Sequence, residues 1–264
     1  MARNSTPPAY PFNPPLSEGI VMSRPNRFVM MVQSKGRTLR CHCPTTGRLG
    51  DLDLHGIPCL FSNARNTARK TAFTVEAVSA GKTRERPKSW IGINQTAANR
   101  YIEHLLRTGQ LSRMVKGEVK REVRLGSSRI DFQVGRTYLE VKTPLIVLPS
   151  APGVRSVSRS RFNSYDRLIK HMTELSKSLK DGKRAVIVMC YLYDAKRFKP
   201  PSGDSDNSRI LDVARKAEET GVETWQVNLN LDRNGVTLNK YFRNHLFSRS
   251  RTRDHSSSGP ESHK

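Results

Sequence analysis

Acidic residues are scarce in this chain: 23 Asp and Glu stand against 46 Lys and Arg in 264 residues, a formal charge of +23. A field of that sign selects polyanions and works against cationic partners. Cysteine is sparse too. Cys41, Cys43, Cys59 and Cys190 are too few to staple a chain this long, which excludes a disulfide scaffold and fits a reducing compartment. Long apolar runs are missing: the longest, Ala185 to Tyr193, falls well short of the ~20 residues that cross a bilayer, so no membrane span is expected. The opening MARNSTPPAYPFNPP has no apolar h-region of a secretory signal, and its prolines spoil a presequence helix, so a cytoplasmic, nucleic-acid-containing location is expected. Phosphate-binding G-x-x-x-x-G-K-[ST], dinucleotide G-x-G-x-x-G and esterase G-x-S-x-G patterns are absent, which leaves no argument for those chemistries. No stretch joins a large apolar face to a Lys/Arg face, so an anionic membrane is disfavoured as the polyanion. Nucleic acid remains, DNA ahead of RNA.

What is present divides into two units. Residues 1–18 are Pro-rich and residues 246–264 are Arg/Ser-rich, and both read as disordered tails because neither offers enough apolar surface to offset ordering. Residues 19–88 read as short strands and turns. Arg27 to Gln33 and Arg37 to Cys43 flank a hairpin turn at Ser34-Lys35-Gly36, and Ala72 to Val78 adds a strand, the size and pattern of a small OB-like β-barrel. Residues 89–245 alternate. Ala98, Tyr101, Ile102, Leu105 and Leu106 keep helical spacing, with Asn94 or Thr96 as cap and Gly109 as stop. Strands follow near 113–124, 128–134 and 137–143, then a helix from Ser164, a buried strand Ala185 to Tyr193, a helix about Ser208 to Thr220 and a strand Val222 to Leu229. The order αβββαβαβ predicts an α/β (α+β) mixed sheet with helices packed on it.

The chemistry concentrates between Glu122 and Lys142. With Gly135-Arg136 as a two-residue turn, Asp131 falls directly opposite Glu140, at a Cβ separation of about 5 Å where like charges repel unless a cation lies between them. Strand alternation puts Glu140 and Lys142 on one face, and the same parity adds Asp131. Hard oxygen donors suit Mg²⁺ or Mn²⁺, and a neighbouring ammonium can orient water or stabilise charge developing on a phosphate. Glu122, nine residues before Asp131, is a fourth candidate from the preceding strand. The plainer alternative is a set of ordinary ion pairs with Arg124, Arg129 or Lys142.

Six segments carry a further signal: Cys43-Pro-Thr-Thr-Gly47, Asn66-Thr-Ala-Arg-Lys70, Glu122-Val-Arg-Leu-Gly126, Ser128-Arg-Ile-Asp-Phe132, Leu139-Glu-Val-Lys142 and Arg184-Ala-Val-Ile-Val188. In this order they resemble the sugar fermentation stimulation protein A (SfsA) family, over about Arg27 to Val227. The resemblance implies an N-terminal OB-type barrel followed by a PD-(D/E)xK nuclease-like domain with an αβββαβ core, DNA binding, and nuclease activity. It implies that Glu122, Asp131, Glu140 and Lys142 are catalytic and that Asp131, Glu140 and the Val141 carbonyl hold Mg²⁺ or Mn²⁺. Where the family has a Pro-Asp-Ala-x-Thr-x-Arg-Gly-x-Lys-His run, this chain has Arg161-Phe-Asn-Ser-Tyr-Asp-Arg167 leading to Lys170-His171, and keeps the Lys-His end with Arg167. The alternative is a non-catalytic, sequence-nonspecific DNA-binding regulator on the same fold.

Residues 61–130 carry 15 Lys/Arg against five Glu, so the folded part is itself basic. Arg65, Arg69, Lys70, Arg129 and Lys170 are the candidate nucleic-acid contacts. Phe61, Phe73 and Trp90 flank the patch and are read as core residues before stacking residues. Cys41-x-Cys43 with His42, His55 and Cys59 raises zinc, but the strand spacing is unlike a knuckle and favours buried small hydrophobes. The sequence leaves the oligomeric state open, a dimer included.

Overall fold

In the computed structural model, residues 9–45, 54–63, 71–79, 88–144, 165–200 and 208–247 are described. Strands β2 (Ser17–Asn26), β3 (Val29–Ser34), β4 (Arg37–His42), β5 (Pro58–Asn63) and β6 (Phe73–Ser79) form a closed barrel. β2 pairs β3 and β5, β3 pairs β4, and a short parallel pairing of β4 with β6 closes the ring. That cyclic order is the OB order. The β3–β4 hairpin turns on Lys35 and Gly36, both at positive φ, 49° and 73°, as the twist of a tight two-residue hairpin requires. Cys41, Cys43 and Cys59 fill the barrel core with Val21, Met30, Val32 and Val75. A further strand, β7 (Trp90–Gly92), adds to β6, so the sequence-expected boundary at residue 89 moves past Gly92.

A 3₁₀ turn at Gln95–Ala97 leads into α1 (Ala98–Arg107), followed by β8 (Val119–Leu125), β9 (Ser128–Val134), β10 (Thr137–Lys142), α2 (Tyr165–Ser178), β11 (Arg184–Tyr191), α3 (Ser208–Glu219), β12 (Glu223–Leu231) and β13 (Gly235–Arg243). Neither Asn94 nor Thr96 caps through its side chain; the Thr96 hydroxyl donates to Asn94 Oδ1 instead. β8, β9 and β10 are antiparallel neighbours, β10, β11 and β12 are parallel, and β13 returns antiparallel to β12. Both parallel steps advance in one direction, so right-handed crossovers lay α2 and α3 on one face, where they touch each other. β11 alternates accordingly: Ala185, Ile187 and Met189 pack with Met172 and Leu175 of α2, whereas Val186, Val188 and Cys190 pack with Ile102 and Leu105 of α1.

The N-terminal segment is corrected. Tyr10–Pro11 forms β1 on the edge of β13, Phe12 N donates to Asn234 O and Leu16 N to Arg233 O, and Ser17 begins β2. Tyr10 packs edge-on against Tyr101 at 5.0 Å and Phe12 at 6.2 Å. Aromatic burial outweighs the proline content that suggested a tail over residues 10–18. The remainder, residues 1–8, lies outside the described residues. At the other end Leu246 N donates to the Glu218 carboxylate.

The two units share a seam. Leu16, Leu60 and Ala77 belong to the same core cluster as α1 and β11, and Gly92 N donates to Leu192 O at 2.9 Å. A Cβ on Gly92 would meet Leu192 Cβ at 2.5 Å and its carbonyl oxygen at 3.0 Å. Gly92→Ala is therefore expected to destabilise the protein by about 1–3 kcal/mol in denaturant unfolding, the usual cost of overpacking. An unchanged midpoint would contradict the close approach.

Candidate active site

The β9–β10 register is the one expected from a Gly135-Arg136 turn: Thr137 faces Val134, Tyr138 faces Gln133 and Leu139 faces Phe132. The ladder stops there. At the next position Val141 N donates to the Asp131 side chain, Oδ2, at 2.8 Å, so the carboxylate takes the amide that a continuing ladder would have used. The strand also changes face at this residue. Ile130 packs in the cluster under α2, and Phe132, two residues on, packs in the cluster under α1. β8 bends with it: Arg121 pairs Phe132 and Val123 pairs Ile130, while Glu122 between them has a φ of 52°.

Glu140 and Lys142 share a face, as alternation predicts. Lys142 Nζ donates to Glu140 Oε1 at 2.6 Å. Asp131 does not join them by simple parity, which is the correction here; it reaches the amide between them because its strand splits from β10. Asn99, in the first turn of α1, donates from Nδ2 to Asp131 Oδ1 at 2.8 Å. From the other face, α2 places His171 Nδ1 2.5 Å from Glu140 Oε1. Asn99 was not anticipated as a site residue, and His171 only as the end of the Lys170-His171 run. The Lys170-His171 pair was the available signal for the latter; nothing local marks Asn99.

Glu140 is 3 % exposed and His171 4 %. Burial pushes the Glu140 carboxyl upward, but the His171 hydrogen bond and the Lys142 ammonium outweigh it and hold the group below the usual carboxylate range. Asp131 goes the other way. Burial first and the Glu140 charge second raise it, against the lowering from Val141 N–H and Asn99. The pair is therefore an asymmetric one, with the proton favouring Asp131. Glu140 Oε2 is buried and has no hydrogen-bond partner among the described residues. An unmet carboxylate oxygen beside a second carboxylate is what a hard cation satisfies.

The other sequence-expected residues distribute differently. Glu122 falls across from Asp131 in register, but its side chain is 55 % exposed and pairs with Arg129 Nη1 at 3.0 Å. Lys170 is exposed on α2. Arg65, Arg69 and Lys70 lie outside the described residues, as does the Arg161–Ser164 run, and nothing is described of the Arg167 side chain. Phe61 is buried against Phe73, with ring centroids 5.6 Å apart, as core residues. Burial pushes the Cys41 and Cys59 thiols up to about 12, which disfavours the thiolates that zinc needs.

The N-terminal barrel matches the SfsA N-terminal OB domain over residues 22–93. A sugar fermentation stimulation protein homolog from Alcanivorax borkumensis is 30% identical over 80% of this chain and 90% of its own length, and one from Methylobacterium nodulans is 31% identical over 87% and 96%. The chain belongs to the SfsA family. The structure of Pyrococcus furiosus SfsA in complex with Ca²⁺ is similar across 89% of this chain and 96% of that one, with a TM-score of 0.65 and 25% identity. The SfsA family thus accounts for both the barrel and the mixed-sheet unit that carries Asp131, Glu140 and Lys142.

Among the described residues no three His, Cys, Asp or Glu side chains group at metal-ligand spacing. Two carboxylates, the remaining positions going to water and phosphate, is the way Mg²⁺ is commonly held, so the donor set fits. The asymmetry gives a test on the metal-free protein. Asp131→Asn removes a buried charge that its surroundings disfavour and is expected to raise stability at pH 7.5 by about 1 kcal/mol; Glu140→Gln weakens the shared acceptor of the His171 and Lys142 side chains and is expected to lower it by about 1–3 kcal/mol. Thermal unfolding in EDTA reads both, and shifts of the same sign would contradict the asymmetry.

Proposed function

We propose that the protein is a nucleic-acid-binding, metal-dependent nuclease that hydrolyses phosphodiester bonds, with DNA as the first substrate and Mg²⁺ or Mn²⁺ as cofactor. The observation that carries this reading is the buried, unpartnered Glu140 Oε2 beside Asp131, with the Lys142 ammonium on the same carboxylate. Asp131, Glu140 and the Val141 carbonyl would hold the cation. When bound, the cation supplies Lewis-acid stabilisation of the scissile phosphate and a water of lowered pKa.

The chain's own groups do the rest. Lys142, whose Nζ donates to Glu140 Oε1, is placed to orient the attacking water or to stabilise negative charge on the phosphate. Asn99 and the Val141 amide fix the Asp131 carboxylate, and His171 fixes Glu140, so neither ligand has to reorganise on binding. The family's Ca²⁺ complex from Pyrococcus furiosus supports a divalent-cation reading, since Ca²⁺ takes the same hard oxygen donors. The OB barrel and the +23 charge support a polyanion as the substrate.

The competing reading, a DNA-binding regulator that does not cut, draws on the saturation of Glu140 Oε1 by two donors. Labelled single- and double-stranded DNA and RNA, incubated with Mg²⁺ or Mn²⁺ against EDTA, separate the two. Cleavage is expected only with metal, reduced at least 100-fold in Glu140→Ala and Lys142→Ala, while binding in EDTA changes by a few-fold. Intact substrates in every metal, with salt-sensitive binding retained, would leave the regulator.

A further inference from the structure

The tip of the β2–β3 hairpin is unlike the rest of the surface. Phe28 is 49 % exposed, the one large hydrophobic side chain so exposed among the described residues. Its backbone is not loose. Phe28 N donates to Asn26 Oδ1 at 2.9 Å, Cys43 N donates to Phe28 O at 2.8 Å, and Arg24 Nη2 donates to Arg27 O at 3.2 Å. Three hydrogen bonds thus hold a turn whose apical ring faces solvent, with the Arg27 guanidinium 4.5 Å from the ring centroid.

The charge along this stretch of the sequence has one sign. Between Glu18 and Asp51 the sequence has no acidic residue and six basic ones, Arg24, Arg27, Lys35, Arg37, Arg40 and Arg48. Arg27 lies at one end of β3, Lys35 and Arg37 lie at the other, and all three are exposed, as is Arg40 on β4. At the rise of a strand the two ends are about 20 Å apart. In the cyclic order of the barrel β3 and β4 are the second and third OB strands and Arg27-Phe28 is the loop between the first and second, the surface with which OB folds contact extended oligomers. A sugar chain would not call for unopposed arginines; a phosphate backbone does.

We propose that Phe28 is a stacking platform for an unpaired nucleobase, and that Arg27, Arg37 and Arg40 carry the backbone of a single-stranded segment along β3 and β4. This rests on the nucleic-acid-binding reading above and adds a substrate class to it: single strands, or duplexes with an unpaired end. An exposed, rigid aromatic is suited to the task because every base has a π-face, so the contact is strong without sequence preference. In a duplex the bases are already stacked and the ring has nothing to cover.

The test measures binding in EDTA, by fluorescence anisotropy, of a 20-nucleotide single-stranded DNA, the same sequence as RNA, and the corresponding blunt DNA duplex. Phe28→Ala is expected to weaken single-strand binding about tenfold and duplex binding less than twofold, with the salt dependence unchanged because no charge is lost. Phe28→Trp is expected to restore binding and Phe28→Leu is not, whereas Arg27→Gln is expected to lower the salt slope. The DNA and RNA arms identify which single strand is preferred. Equal losses on single strand and duplex, rescue by leucine, or no loss with a wild type that binds would overturn the inference. A wild type that binds none of the three probes would overturn the underlying nucleic-acid reading as well.

Discussion

An ionised carboxylate under a helix has to be held by fixed hydrogen-bond donors, and in this protein the arrangement around Glu140 meets that requirement. Glu140 lies on β10 beneath α2, with one oxygen shared by His171 and Lys142 and the other unmatched. A charge so buried is tolerable only because two donors converge on it. The convergence in turn needs β10 to be central, α2 to cross on that face, and β9 to part from β10 where Asp131 enters. The seven-stranded sheet supplies the first, the parallel crossover the second, and the face change at Asp131 the third.

The barrel contributes to the same site through the segment between the two units. Glu76, buried on β6, accepts from Ser62 Oγ and Asn94 Nδ2, both at 2.6 Å. The next residue, Gln95, donates to Thr143 O at 2.8 Å, one position past Lys142, and Asn99 four residues later holds Asp131. One short stretch of chain therefore ties a barrel strand to the end of β10 and to the acidic pair. The barrel and the acidic pair in the sheet are joined by hydrogen bonds as well as by the shared core.

The legible part of this fold was the part written in periodicity. Leu105, Ile102 and Tyr101 at helical spacing marked α1, and Gly135-Arg136 between alternating residues set the register that puts Asp131 against Glu140. The resemblance carried by Leu139-Glu-Val-Lys142 and its companion segments named the family. Three things were not legible. β2 and β13 hide because Ser23, Pro25, Asn239 and Lys240 interrupt their apolar pattern. β1 hides in a Pro-rich segment whose order depends on Tyr10 meeting Tyr101, a contact distant in sequence. The orientation of Asp131 escaped a parity rule because parity assumes an unbroken strand, and here the strand breaks at the residue of interest.

The account turns on whether the Asp131–Glu140 pair holds a divalent cation. A crystal of the wild-type protein soaked in Mn²⁺, with anomalous difference density measured at the manganese edge, addresses that most directly. The account predicts a peak at the Asp131–Glu140 pair, lost in Glu140→Gln. No peak there at saturating Mn²⁺, with Glu140 still bound by His171 and Lys142, would contradict it.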